Sequence, residues 1–268
     1  MTIATQTDNY SSELRHAACH LRHEKYYFQS DLLRDDDIFL ASYPRSGNHF
    51  VSYVIISALH YLEFGSFPVD CFALGKAIPG IHGADLSSTN TSPRIIKTHF
   101  SFDPRYRNVI HIIRDPRDVV VSYYHYTRST PQLFFSSAPG GTDEFVDLFL
   151  SGMVWPCDLR FHTESFVKEC ASINYIQIRY EKLLNDSSTE ITRLLGYLNL
   201  DLNDQVISKL VAHTSFANMS RIRDPSMIAQ RNMLRRGVVG GYLDELKKNV
   251  IEKIEDAYEE YLSTYGYT

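Results

Sequence analysis

The segment IFLASYPRSGNHF, residues 38–50, is the stretch that decides the fold. It begins with a short apolar run typical of a buried strand, passes through the small polar turn Arg45-Ser46-Gly47-Asn48, and leads into an apolar segment typical of a buried helix. The first N–H groups of a helix have no intrahelical acceptor, and the helix dipole favours negative charge there. The turn therefore predicts a phosphate or sulfate site, with an ordinary strand-to-helix connection as the alternative.

This turn differs from the Walker A loop of nucleoside triphosphatases. That loop requires Gly-Lys followed by Ser or Thr, in which the lysine reaches the terminal phosphates and the hydroxyl binds magnesium. The chain contains no Gly-Lys-Ser/Thr, and Arg45 precedes Ser46-Gly47 instead. A magnesium-bound nucleoside triphosphate is therefore disfavoured as the ligand.

Length and composition indicate one large α/β domain. The chain has 268 residues, of which 44% are hydrophobic and 22% are charged. Residues 1–36 are predicted to form a polar tail and a helix around 13–29, and residues 37–268 are predicted to form the domain. The formal net charge is −5, so the global basic field typical of nucleic-acid binding is missing and any polyanion site must be local.

Cysteine spacing and hydropathy predict a cytoplasmic protein. The four cysteines are scattered without CxxC spacing, which indicates neither a zinc site nor a disulfide framework. No stretch approaches the roughly eighteen consecutive apolar residues of a membrane-spanning helix, and the N-terminal residues lack the apolar core of a signal peptide. We therefore expect no metal, no membrane partner and no nucleic acid.

Three further apolar runs predict strands, at 94–99, 108–113 and 173–179. Strands rich in Val and Ile that alternate with helical segments are typical of a parallel sheet with helices on both faces, a three-layer α/β fold. Ligands bind beyond the carboxyl ends of such strands. The residues expected to meet the turn at this edge are Lys97, His99, Arg114 and Tyr180.

The C-terminal half is predicted to be mostly helical, with one basic loop. Within 214–242, Arg235 and Arg236 stand beside Gly237. Such a loop in an acidic protein is either solvated surface or a second phosphate contact. Helices are predicted over 143–150, 158–171, 188–199, 203–213 and 244–264.

Four motifs in a fixed order resemble the cytosolic-type sulfotransferases. Residues 43–50, YPRSGNHF, resemble the family's 5′-phosphosulfate loop YPKSGTTW, and residues 94–100, RIIKTHF, resemble its Lys-Thr-His strand. Residues 111–126, HIIRDPRDVVVSYYHY, resemble its 3′-phosphate segment, and residues 235–242, RRGVVGGY, resemble its RKGxxGDW motif. The sequence also looks like that of microbial natural-product sulfotransferases.

The resemblance implies that 3′-phosphoadenylyl sulfate (PAPS) is the donor and adenosine 3′,5′-bisphosphate (PAP) the product. A sulfo group would pass in line to a hydroxyl or amine, with His99 as general base and with Lys97 and Arg45 stabilising the transferring group. The implied nucleotide contacts are Arg45, Ser46, Gly47, Asn48 and His49 at the 5′-phosphosulfate, Phe50, Tyr180, Thr214 and Phe216 at the adenine, and Arg114, Ser122, Arg235, Arg236 and Gly237 at the 3′-phosphate.

Departures from the family pattern limit which family properties can be expected of this chain. Arg45 stands where lysine is usual, and since arginine does not deprotonate in proteins, its expected role is electrostatic. The family's dimer motif KxxxTVxxxE would fall on 243–252, where only Glu252 matches, so monomer and dimer both stay open.

Alternatives concern both the acceptor and the class of function. A small secondary metabolite is the expected acceptor, with a phenol or steroid-like alcohol as the alternative, and residues 63–93 and 129–142 are the expected walls and lid. A P-loop-like kinase and a nucleotide-binding protein without catalysis are the other classes considered. Structural roles are expected for the remaining histidines, including the side chains of His49, His111 and His125.

Overall fold

Four parallel strands form the central sheet of the protein. The computed structural model describes residues 30–69, 78–81, 86–88, 91–129, 141–222 and 235–267. The strand order is β2-β1-β3-β4, and Ile38 pairs with Ile95 on one side and Asn108 on the other. The predicted α/β fold with a parallel sheet is confirmed. The strands are β1 Ile38–Ser42, β2 Ile95–Thr98, β3 Asn108–Ile113 and β4 Asn174–Arg179.

Helices cover both faces of this sheet because its strands alternate their apolar side chains between the faces. Leu40 belongs to a buried cluster with α1, α6 and α7, whereas Phe39 and Ala41 belong to a cluster on the other face with α4. The helices are α1 Asn48–Phe64, α2 Pro116–Ser129, α3 Thr142–Leu150, α4 Leu159–Val167, α5 Tyr180–Asn185, α6 Ser187–Tyr197, α7 Asp204–His213, α8 Phe216–Ile222, α9 Lys248–Ala257 and α10 Glu259–Tyr265.

A buried ion pair fixes the amino ends of β1 and β2. Arg94 precedes β2 and donates to both carboxylate oxygens of Asp37, which precedes β1, at 2.7 and 2.6 Å. The remaining guanidinium nitrogen, Nη1, donates to the carbonyl of Leu86 at 2.9 Å, and Nη2 also donates to the carbonyl of Leu32. Arg94 is 1% exposed and Asp37 is fully buried. Burial without these bonds would be costly, so the pair is a structural requirement.

Two of the helix predictions are wrong in their bounds. The helix predicted over 158–171 ends at Val167, and a 3₁₀ turn follows at Cys170–Ser172. The helix predicted over 244–264 is two helices, α9 and α10, separated at Tyr258. The backbone of Tyr258 lies outside the helical region, with φ −115° and ψ 20°, while its ring is buried and its hydroxyl donates to Asp158 Oδ2 at 3.3 Å.

Some predictions fall on residues outside the described ranges. The N-terminal helix predicted over 13–29 is one of them. The expected acceptor walls, 63–93 and 129–142, are described only in part.

Candidate active site

The turn after β1 forms a concave array of backbone N–H groups. Arg45 has φ 70° and Gly47 has φ 110°, and left-handed residues within a turn aim successive N–H groups at one point. A Cβ at Gly47 would lie 2.5 Å from Cδ2 of Tyr180, so both the backbone angle and the space require glycine. The N–H of Ser46 donates to the carbonyl of Tyr43 at 3.2 Å and closes the turn. The N–H groups that begin α1 have no intrahelical acceptor, so they are suited to bind an anion.

The Asn48 side chain points away from this anion site. Its Nδ2 donates to the carbonyl of Leu40 at 3.1 Å and to Oγ of Ser42 at 3.2 Å. Asn48 therefore ties α1 to β1, and only its backbone N–H is positioned for the predicted phosphate contact.

Arg45 links the turn to α2. Its Nε donates to Oγ of Ser122 at 3.2 Å, and its guanidinium carbon lies 4.7 Å from the centre of the Tyr126 ring. Helix α2 begins at Pro116, and Ser122, six residues later on this helix, lies over the turn. Burial lowers the pKa of Arg45 to about 10, so the side chain is still a cation at neutral pH.

Arg114 extends the cationic surface from β3. Its Nη1 donates to the Arg45 carbonyl at 3.0 Å, and its guanidinium carbon lies 4.2 Å from the centre of the Tyr180 ring. Its nearest ion-pair contact in the described residues is to Asp118, at 3.9 Å. The buried Nε has no hydrogen-bond acceptor within the part of the chain that the structure describes. Since buried donors are almost always satisfied, an anionic ligand suits this position.

His99 is oriented by the strand beside it. Its Nδ1 lies 2.8 Å from the carbonyl of Ser42, and because a carbonyl only accepts, the proton is on Nδ1 and the lone pair is on Nε2. The ring of Trp155 meets the His99 ring edge-on, with centroids 5.9 Å apart. Trp155 is the single tryptophan of the chain. No sequence motif pointed to it, because the contact joins segments far apart in the chain.

Two further side chains change the electrostatics around His99. Burial lowers the pKa of Lys97, which favours release of its proton relative to an ordinary lysine. His49 presents its imidazole to the open cleft, yet the surrounding protein and then the charges of Lys97 and Arg45 lower its pKa to about 3. A structural role was expected for the His49 side chain, but it lies beside the predicted catalytic residues and is neutral at pH 7.

His111 shows the contrast with a core histidine. It is fully buried in β3, its Nδ1 lies 2.8 Å from the hydroxyl of Tyr175, and its ring stacks on Phe166. Burial lowers the pKa of His111 to about 3 as well. These contacts belong to the core behind the sheet and not to the cleft.

A cavity of about 470 Å³ lies next to the turn, and four predicted nucleotide contacts line it. Gly237 has φ 62°, and a Cβ there would lie 2.1 Å from Cδ2 of Phe216, so the glycine backbone packs directly on that ring. Leu183 and Asn185, at the end of α5, also line the cavity, and no sequence pattern had predicted this short helix. The four predicted contacts are Phe50, Thr214, Phe216 and Gly237.

The C-terminal arginines lie against α2. The N–H groups of Gly240 and Tyr242 donate to Asp118 at 2.9 and 3.1 Å, which docks their loop on the start of that helix. Burial raises the pKa of Asp118. Arg235 and Arg236 donate through Nη1 to the same oxygen, Oε1 of Glu245. Glu245 was not predicted from the sequence, since no motif includes it.

The described residues were also compared with the requirements of a metal site and of a membrane-spanning helix. Among them, no group of three or more His, Cys, Asp or Glu side chains could hold a metal ion. None of the helices in these ranges combines the length and the apolar composition needed to cross a membrane.

Comparison with known proteins gives consistent matches. A family model described as "Sulfotransferase domain" matches residues 35–266. Dog sulfotransferase 1B1 is 27% identical over 253 residues, which cover 86% of this chain and 84% of the relative. Mouse sulfotransferase 1E1 is 25% identical over 278 residues, which cover 92% of this chain and 91% of the relative.

Solved structures share the fold. A crystal structure of mouse sulfotransferase SULT7A1 complexed with PAP matches with a TM-score of 0.69 and 23% identity, over 89% of this chain and 91% of that chain. A crystal structure of retinol dehydratase in complex with androsterone and PAP matches with a TM-score of 0.67 and 19% identity, over 86% and 81%.

Proposed function

This chain belongs to the sulfotransferase family, and we propose that it moves a sulfo group from PAPS to a hydroxyl or amine of a small molecule, with His99 as general base. One juxtaposition carries the proposal. The Nδ1 of His99 bonds to the carbonyl of Ser42, the last residue of β1, which two residues separate from the turn, and this supports a base close to the proposed anion site. A base beside a sulfo-group site is the arrangement that transfer to a hydroxyl requires.

The donor would bind along the carboxyl edge of the sheet. Its 5′-phosphosulfate would meet the N–H groups that begin α1 and the guanidinium of Arg45. Its adenine would fill the cavity of about 470 Å³, which lies within the usual range for small-molecule sites. Arg114, through the donors it keeps for a ligand, and Ser122 would bind the 3′-phosphate together with Arg235 and Arg236. The mouse sulfotransferase SULT7A1, which has the same fold, was crystallised with PAP, and this supports an adenosine bisphosphate nucleotide as the ligand of this chain.

The reaction would be an in-line displacement at sulfur. The acceptor oxygen or nitrogen attacks the sulfur atom while Nε2 of His99 takes the acceptor proton. The bond between sulfur and the bridging oxygen breaks, its electron pair stays on the 5′-phosphate, and PAP leaves. A general base of this kind contributes about 10² to 10⁴ in rate.

Fixed cations would stabilise the charge that develops during transfer. Arg45 lies at the turn and Lys97 lies on the strand that leads to His99, and the charges of both lower the pKa of His49, which supports placing them beside the transferring group. Preorganised charges act strongly in a cleft from which water is excluded. Because Arg45 stays protonated at neutral pH, its contribution is charge and hydrogen bonding, and we propose no metal in the reaction.

The acceptor is proposed to be a small secondary metabolite with a flat or apolar part. The partly exposed ring of Trp155 contacts His99 edge-on and packs against the buried ring of Phe100, with centroids 6.0 Å apart. An aromatic side chain beside the base favours a flat acceptor. The Trp155 ring would also suit a phenol or a steroid-like alcohol, which stay as the alternative acceptors.

The test is PAP release from PAPS with a panel of hydroxyl and amine acceptors. We expect PAP release with at least one acceptor, and a fall of about 10² to 10⁴ in kcat for His99→Ala. The matched control is His60→Ala, because Nδ1 of His60 makes a similar bond, to the carbonyl of Ser66 at 2.6 Å, far from the turn along α1. Wild-type kcat in His99→Ala would contradict the base assignment, and no PAP release with any acceptor would contradict the proposed function.

A further inference from the structure

We infer that Glu245 is a positioning residue for the donor's 3′-phosphate, because it holds Arg235 and Arg236 beside α2 in the orientation that binding requires. The inference rests on the proposed function, which assigns the 3′-phosphate to these two arginines. It assigns Glu245 no contact with the nucleotide.

One carboxylate joins three donors from two segments. Oε1 of Glu245 accepts from Nη1 of Arg235 and from Nη1 of Arg236, the latter at 3.3 Å. Oε2 of Glu245 lies 2.5 Å from Nε2 of His125 on α2. The loop that carries the arginines is thereby tied to α2 at a second point, separate from the bonds to Asp118.

The tie lies on the side of α2 that faces the nucleotide site. His125 follows Ser122 by three residues, so the two side chains share one face of the helix. Ser122 already contacts Arg45 at the turn. A cation pair held at His125 is therefore beside the face on which the 3′-phosphate is proposed to bind.

The bonds to Glu245 leave donors for a phosphate. A guanidinium has five N–H groups, and in the part of the chain that the structure describes, Arg235 donates to Glu245 through Nη1 alone. Its Nε and Nη2 are thus available to a ligand. Arg236 also donates through Nη2 to Asp244 at 2.6 Å, so it is held from both sides.

Glu245 stays a carboxylate in this cluster. Burial raises the pKa of Glu245, but hydrogen bonds from Arg235 and His125 outweigh it and hold the pKa below its ordinary value. Glu245 and Asp244 together balance the charges of the two guanidinium groups, so the cluster offers a phosphate oriented donors and not a large net positive charge. Fixing two long side chains before binding removes an entropic cost that the nucleotide would otherwise meet.

Binding of two nucleotides distinguishes a positioning role of Glu245 from an effect of its charge alone. PAP and adenosine 5′-monophosphate (AMP) differ by the 3′-phosphate, so their dissociation constants are measured by calorimetry for wild type and Glu245→Gln. We expect PAP to bind about tenfold more weakly to Glu245→Gln and AMP to bind equally well to both. If Glu245 merely opposed the phosphate by its charge, its neutralisation would strengthen PAP binding.

Two control variants test whether a loss of PAP affinity comes from misfolding or from the change in net charge. Glu245→Asp keeps the carboxylate and should recover part of the PAP affinity. Glu252→Gln removes the same charge from a side chain that is 56% exposed and pairs with Lys248 on α9, and it should bind PAP as wild type does. With PAPS as substrate, Glu245→Gln should raise KM and leave kcat at saturation near the wild-type value.

The outcomes distinguish this inference from the function on which it rests. Wild-type binding of PAP no tighter than of AMP would contradict the proposed 3′-phosphate site itself. A wild-type preference for PAP that Glu245→Gln retains or strengthens would overturn the inference alone. Equal loss of both nucleotides in Glu245→Gln would also overturn it, because such a loss does not belong to the 3′-phosphate.

Discussion

The two ends of the sheet use buried arginines in opposite ways. At the amino ends, Arg94 is satisfied by both oxygens of Asp37 and by backbone carbonyls. At the carboxyl ends, Arg114 donates to the Arg45 carbonyl and stacks on Tyr180, while its buried Nε has no acceptor within the described ranges. Arg45 contacts a hydroxyl and a ring face.

This difference separates a structural cation from a binding cation. Arg94, whose three guanidinium nitrogens all donate within the protein, stabilises the fold. Arg114, held by a ring face and a carbonyl, keeps its charge and a buried Nε that has no acceptor among the described residues, which is costly for the free protein and useful for an anionic substrate. Substitutions at the two ends should therefore affect different measurements.

The largest expected effect is on stability, at the amino ends. Asp37→Asn leaves Arg94 buried without a counter-charge, so the free energy of unfolding should fall by about 3–5 kcal/mol. Urea denaturation measures this. Asp143→Asn removes the carboxylate of an exposed pair with Lys247 at 3.0 Å, and should cost about 1 kcal/mol or less. Equal losses in the two variants would show that the Asp37–Arg94 pair is no structural requirement.

The next effect is on turnover, at the carboxyl ends. Arg45→Ala removes the cation at the turn and should lower kcat by about 10² to 10³, the usual loss for one transition-state donor. Arg45→Lys keeps the charge and should keep most of the activity. Steady-state PAP release measures both. Equal activity in wild type, Arg45→Ala and Arg45→Lys would refute the electrostatic role of Arg45.

A smaller effect is expected on nucleotide affinity. Gly237→Ala places a methyl group against Phe216 and should weaken PAP binding about tenfold, since that ring lines the cavity. Gly240→Ala is the matched control, because its φ of 74° carries the same backbone strain while the nearest atom, in Leu243, would be 4.0 Å away. Calorimetry with PAP should separate the two variants, and equal affinities would mean that the Phe216 contact is irrelevant to binding.

Much of the fold could be predicted because local patterns specify it. The strand at 38–42, the glycine turn and the apolar helix follow from a short apolar run, a small polar turn and an all-round apolar segment. Pro116 is the first residue of α2, a position that proline favours, and this start determines where Ser122 lies. The convergence at the carboxyl edge followed from parallel connectivity alone.

Contacts between distant segments could not be predicted in this way. Trp155 reaches His99, and Glu245 joins His125 to the arginines, across separations that no motif covers. At Tyr258 the backbone leaves the helical region beside a buried ring that is bonded to Asp158, and helical periodicity does not record this. The His49 side chain was assigned by analogy with ordinary histidines, and only its neighbours in space placed it in the cleft.

The central claim is that the carboxyl edge binds PAPS. Its most direct test is the melting temperature in metal-free buffer with PAP, compared with that in ATP and magnesium. At a PAP concentration 100 times its dissociation constant, linkage adds about 2.7 kcal/mol of stability, which corresponds to a rise of roughly 5 °C. We expect that rise with PAP and a smaller one, or none, with ATP and magnesium. A rise with ATP and magnesium but none with PAP would contradict it.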